Sequence, residues 1–194
     1  CKEKIQVIIS LLYMDVKDIL YNAINNYKEY RIISDIAQGN SSETLNAICN
    51  ECMPLLEKLE GSKSESLISF AESFIHYLLT VALIPSQRKT VHAGIEIDVV
   101  IPNVTILASS PHDAIIITFP KTNDHKFIQK RVAEFAKIQP HKDNIWFVLE
   151  NVLPLEAKVY IINQNEKTQF TNIINDIIGF LSSKKQSKLK LFRI

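Results

Sequence analysis

The stretch Gly94-Ile95-Glu96-Ile97-Asp98-Val99-Val100-Ile101, closed by Pro102, decides how the chain divides. Ile95, Ile97, Val99 and Ile101 alternate with Glu96, Asp98 and Val100, the period of two that belongs to a β-strand. Arg88 to Ala93 reads as a strand before it, with Gly94 as the bend between the two. Nothing upstream has this period.

From Glu3 to about Ala37 the apolar positions Ile5, Ile8, Ile9, Leu12, Val16, Ile19, Leu20, Ala23 and Tyr27 recur at three and four, which predicts one long amphipathic helix with a break near Asn25-Asn26. Asn40 can cap a second helix with Glu43 at its N3 position. Leu45, Ile48, Cys52, Leu55, Leu56 and Leu59 mark the apolar face, and Pro54 is expected to kink or divide it. Ser62 and Glu65 form a capping box for a third helix, inward at Leu67, Ile68, Ala71, Phe74, Ile75, Leu78, Leu79 and Ala82 and ending before Pro85.

Downstream, the unbroken apolar runs Ala114–Phe119, Ile145–Leu149 and Val159–Ile162 predict short strands covered on both faces. Two helices complete the pattern. One runs from Asp124 to about Ile138, inward at Ile128, Val132, Phe135 and Ala136. The other runs from Glu166 to Leu181, capped by Asn163 and inward at Phe170, Ile173, Ile174, Ile177 and Ile178. The expectation is an α/β (α+β) chain in which a helical region, residues 1–60, precedes a mixed sheet flanked by helices, residues 61–194.

Composition excludes several classes. With 194 residues, 46% hydrophobic, the chain can bury a core without disulfides, and its formal net charge of +1 gives no global field toward nucleic acid or membrane. Any electrostatic partner must use a local patch. Cys1, Cys49 and Cys52 are an odd set in a chain of this length, so reduced thiols are expected; Cys49-x-x-Cys52 is half a zinc site that only Cys1 and His76 could complete. No apolar run approaches the ~18 residues that cross a bilayer, and the start lacks a signal-peptide core, so a cytoplasmic location is expected. Gly39, Gly61, Gly94 and Gly179 each stand alone, which sets aside dinucleotide fingerprints and P-loops; no Gly-x-Ser-x-Gly elbow or His-Glu-x-x-His helix is present.

Glu96 and Asp98, two apart on a strand, are expected on one face roughly 7 Å apart. Two carboxylates on a covered face require a metal, a cation or a proton. An edge strand with a wet face would tolerate them as they are. The next strand runs into Pro120 and Lys121.

On these residues the chain resembles the PD-(D/E)XK nuclease superfamily over about Ser64 to Leu181. The resemblance implies a restriction-endonuclease-like core, with a helix before a three-stranded meander and a helix and further strand after it. It also implies Mg²⁺ or Mn²⁺ held by two acids, and a lysine that helps the attacking water. Asp98 matches the motif Asp and Lys121 the motif Lys, but Phe119 stands where the second acid belongs. The resemblance would then need Glu96 or Glu72 as the replacement acid, giving Asp98, Glu96 and Glu72 as metal ligands and Asp98, Lys121 and Glu96 as the catalytic set. Glu72 lies one helical turn from His76, so the two share a face. A fainter resemblance is to archaeal proteins that bind the TATA-binding protein.

Lys126, Lys130 and Lys137, with Arg131 nearby, lie on the outer side of one helix, and Lys184, Lys185, Lys188, Lys190 and Arg193 enrich the tail; such clusters bind phosphates or are solvated surface. Three functions compete. The first is a non-catalytic module contacting DNA, RNA or a transcription or DNA-processing protein. The second is an active Mg²⁺- or Mn²⁺-dependent nuclease, and the third an oligomeric helical scaffold, such as a homodimer, built on the first helix.

Overall fold

The computed structural model describes residues 15–162 and 170–191, with side chains through residue 184 of the last helix. Among the described residues four helices lead: α1 (Val16–Tyr27), α2 (Glu29–Ala37), α3 (Ser41–Leu56) and α4 (Lys63–Val81). Residues 3–14, where the sequence pattern starts the long first helix, lie outside the described part. Its expected break falls at Lys28, whose φ of 67° no right-handed helix accommodates. Asp15 and Asp18 cap the start of α1 reciprocally.

Two local expectations about α3 fail. Asn40 precedes it without a side-chain cap hydrogen bond, and Pro54 does not divide it, because the helix ends only two residues later at Leu56. Ser62 does cap α4, its hydroxyl accepting from the Glu65 N–H at 3.3 Å.

The sheet follows as β1 (Gln87–His92), β2 (Ile95–Ile101), β3 (Ile115–Thr118), β4 (Ile145–Leu149) and β5 (Lys158–Ile161), hydrogen-bonded in that order. Strands β1, β2 and β3 form an antiparallel meander; β4 joins β3 in parallel, and β5 joins β4 in parallel. The β1–β2 turn is Ala93-Gly94 with φ values of 49° and 75°, the left-handed pair of a tight hairpin. Between β2 and β3 stands a short helix α5 (Val104–Ser109), for which the sequence pattern gives no sign. The Asn103 side chain accepts from the Ile106 N–H, and the Gln87 amide oxygen accepts from the Val104 N–H at 2.7 Å. Helix α6 (His125–Phe135) connects β3 to β4, and α7 (Ile173–Leu191) closes the described chain.

Two cores sandwich the sheet. On one face Val99, Ile101, Ile117, Trp146, Val148 and Tyr160 pack against α1–α4 and α7. On the other face Val100, Ile116, Ile145, Phe147, Leu149 and Ile161 pack against Leu107 of α5 and Ile128 and Phe135 of α6. Successive residues of β3 and β4 therefore enter different cores, which is why these strands are apolar without alternation. Ala136 is exposed rather than inward, because α6 ends at Phe135. The last helix starts later than the sequence pattern implies, after a 3-10 turn at Phe170–Asn172, and its expected Asn163 cap lies outside the described residues.

Strand β2 carries one irregularity. Ile97 joins the α6-side core while Val99 joins the α4-side core, so the alternation reverses at Asp98. The facing rung of β1 is Lys89, with φ of 46°. This reversal positions the candidate site.

Candidate functional site

Asp98 lies where β2 and β3 part. The pairing of these strands runs from Ile101↔Ile115 to Val99↔Ile117 and stops there, and the Asp98 carboxylate takes over. One of its oxygens accepts from the Phe119 N–H at 3.0 Å and from the Thr118 hydroxyl at 2.8 Å. The other accepts from Lys89 Nζ at 3.1 Å. Burial pushes this carboxyl up, but the Phe119 N–H, the Thr118 hydroxyl and the Lys89 ammonium outweigh it and hold the group below its ordinary value.

The Lys89 ammonium has a second acid partner. Glu72 of α4 lies 2.6 Å from it, and Arg88 approaches the same Glu72 oxygen at 3.8 Å. Burial works to lower the Lys89 pKa, yet the two carboxylates together raise it. Glu72 and Asp98, from a helix and a strand far apart in sequence, thus meet on one ammonium. His76, one turn along α4, has a buried Nδ1 without a hydrogen-bond partner. Its pKa is lowered by burial and by Arg88, with Glu72 opposing.

The other predicted site residues are placed differently. Glu96 is exposed, and its backbone carbonyl accepts from Arg131 of α6 at 2.7 Å. Lys121, just beyond Pro120, is exposed and makes no ion pair or hydrogen bond among the described residues. Phe119, at the position of the missing acid, is buried in the α4-side core. Among the described residues no group of three or more His, Cys, Asp or Glu side chains is arranged to hold a metal ion, so Glu72, Glu96 and Asp98 do not form a three-acid cluster. Cys49 and Cys52 are buried free thiols, and Cys52 Sγ rests 3.9 Å from the Ile19 carbonyl.

The donor set does not fit a resident divalent ion. Two carboxylates converge, but the Lys89 ammonium between them and the Arg88 guanidinium beside Glu72 already offset their charge, and position 119 supplies no acid. Lys89 was missed by motif reading, although the hairpin signalled it. A two-residue turn at Ala93-Gly94 pairs His92 with Ile95, and counting outward places Lys89 opposite Asp98.

The element order is a helix-preceded antiparallel meander continued by a helix and parallel strands, the order expected from the sequence, and it carries an acid pair bridged by a lysine. Among solved structures the chain is similar to a restriction endonuclease PspGI–substrate DNA complex, at 15% identity over 88% of this chain and 94% of that chain, with a TM-score of 0.49. Neither a protein-family model nor a curated protein matches the sequence. Among the described residues no helix is long and apolar enough to cross a membrane.

Proposed function

We propose that this chain is a non-catalytic protein that contacts nucleic acid, built on a nuclease-like core in which an internal lysine replaces the catalytic cation. The observation that carries this reading is the Lys89 ammonium, 2.6 Å from Glu72 and 3.1 Å from Asp98. An ion entering there would have to displace a tethered charge held by two acids. The Asp98 carboxylate is further committed to the Phe119 N–H, so it acts as a strand-end cap rather than an open ligand.

Contact with nucleic acid is supported by Lys126 and Lys130 of α6 and by Lys137, which follows two residues past the helix end rather than on its outer side; all three are exposed and, among the described residues, make no ion pair. Each such lysine that neutralises a phosphate releases counterions and steepens the salt dependence. The test is incubation with plasmid, linear DNA and RNA in Mg²⁺ or Mn²⁺, beside Asp98→Asn and Asp98→Ala controls that melt cooperatively. The expected result is no cutting beyond the controls, with salt-dependent binding. Cleavage by the natural sequence that both controls lose would overturn the proposal in favour of a metal-dependent nuclease using Asp98, Glu72 or Glu96, and Lys121.

A second reading places a nucleic-acid-associated protein or a second copy of the chain on the leading helices. Tyr21, Tyr30 and Ile33 favour it, with 53%, 72% and 40% of their surface exposed on α1 and α2. Sedimentation over a concentration series, repeated with Tyr30→Ser, separates a homodimer from a monomer.

A further inference from the structure

Helix α6 carries an exposed aromatic ring among its lysines. Phe127 is 47% exposed, whereas the other phenylalanine of this helix, Phe135, is fully buried. At 100° per residue Lys126 and Lys130 fall within one narrow stripe, and Phe127 lies on its flank, one turn before Lys130. The acid on the same side, Glu134, is neutralised by Arg131 at 2.9 Å. The stripe therefore keeps its positive charge.

The first turn of α6 is fixed in place. Asp124 accepts from the backbone N–H groups of Lys126 and Phe127 at 2.9 and 3.4 Å, and Asn123 donates to Glu150, just past β4, at 2.9 Å. One turn beyond Phe127, Arg131 ties the helix to the Glu96 carbonyl. A ring on so anchored a backbone loses little freedom on meeting a ligand.

We propose that Phe127 is a stacking platform for unpaired bases, with Lys126 and Lys130 holding the adjoining phosphates, so that the preferred ligand of this face is single-stranded nucleic acid. The inference rests on the nucleic-acid reading above and goes beyond it in naming the strand form. Bases inside a duplex already stack on each other, and a ring projecting from a helix can cover a base face only where that face is free. The lysines contribute to either form, whereas the ring contributes only to the unpaired one.

The experiment compares a labelled oligo(dT) with a GC-rich duplex of equal length by fluorescence anisotropy, using the natural sequence, Phe127→Ala, Phe127→Leu and Lys130→Gln. Phe127→Ala and Phe127→Leu are expected to weaken oligo(dT) binding by about fivefold or more, the loss of one stacked base, and to leave duplex binding within about twofold. Lys130→Gln is expected to weaken both forms and lower the salt slope for the single strand by about 0.7. Duplex binding with oligo(dT) affinity untouched by either Phe127 variant would overturn this inference and leave the nucleic-acid reading standing. Equal losses on both forms would likewise show that the ring does not stack on bases. Absence of binding to both by the natural sequence would overturn the two together.

Discussion

Replacing Asp98 with alanine tests the site at its centre. The change removes the acceptor of the Phe119 N–H and of the Thr118 hydroxyl, on residues only 4% and 3% exposed, so water cannot readily substitute. An orphaned buried donor costs about 1–3 kcal/mol, and the second, rotatable donor adds up to about 1 kcal/mol. Lys89 keeps Glu72 and contributes little to the loss. The expected destabilisation is therefore about 3 kcal/mol, a fall in Tm of about 6–12 °C for a chain of this size. Asp98→Asn, whose amide oxygen can still accept from Phe119, should lose roughly half as much. The sign of the pH dependence follows from the depressed carboxyl: its stabilisation is complete above the ordinary aspartate range and disappears as pH falls through the lower folded-state value. Urea denaturation of the natural sequence and Asp98→Ala should show a constant gap near neutrality that narrows in acid. A gap under about 0.5 kcal/mol at neutral pH, or one that widens in acid, would refute the reading of Asp98 as an ionised cap joining β2 to β3.

Lys89→Met leaves Glu72 and Asp98 facing each other with Arg88 alone to compensate, so Mn²⁺ should raise the Tm of this variant more than that of the natural sequence; equal shifts would show that the ammonium does not compete with a divalent ion. Cys49 and Cys52 should resist a thiol reagent at pH 8 in the folded state and react only on unfolding. Burial raises both thiols, with Cys52 pushed up to about 12, and fast labelling of native protein would contradict the packed position of α3. Phe74→Ala removes a fully buried ring set against Phe70 at 5.6 Å and Phe170 at 6.2 Å, and chemical denaturation should show a loss of about 3–5 kcal/mol.

Much of the fold is legible because burial writes directly into the hydrophobic pattern. Ile145–Leu149 has the same bounds in the sequence pattern and in the structure, since a strand between two cores must be apolar at every position. The third helix is equally clear, having both a cap at Ser62 and a stripe that ends before Pro85. Helix α5 is not legible. Six residues are too few to display a period, and its first N–H is held by Gln87, 17 positions upstream, a contact that exists only after the sheet has formed. The break between α1 and α2 is only displaced, from Asn25-Asn26 to Lys28, because a positive φ at a lysine leaves no mark in the spacing of apolar residues.

The site divides along the same line. Asp98 was visible as an acid in a strand, and Glu72 as an acid that could face it, but the charge that joins them depends on register. Lys89 meets Asp98 because the Ala93-Gly94 hairpin sets rungs across β1 and β2, and it meets Glu72 because α4 packs over the face of Val99 and Ile101. Lys89 adopts φ of 46°, a conformation that costs a non-glycine residue about 1–2 kcal/mol. Ion pairs at 2.6 and 3.1 Å to partly buried carboxylates give the chain a reason to keep it. Strict alternation would have put Glu96 and Asp98 on one open face, ready for an ion from solution. The reversal at Asp98 instead turns its carboxylate to the end of β3 and to Lys89. The Lys89 ammonium thus offers the acid pair a cation from within the chain, and the proposal of a core that serves contact rather than cleavage rests on that ion pair.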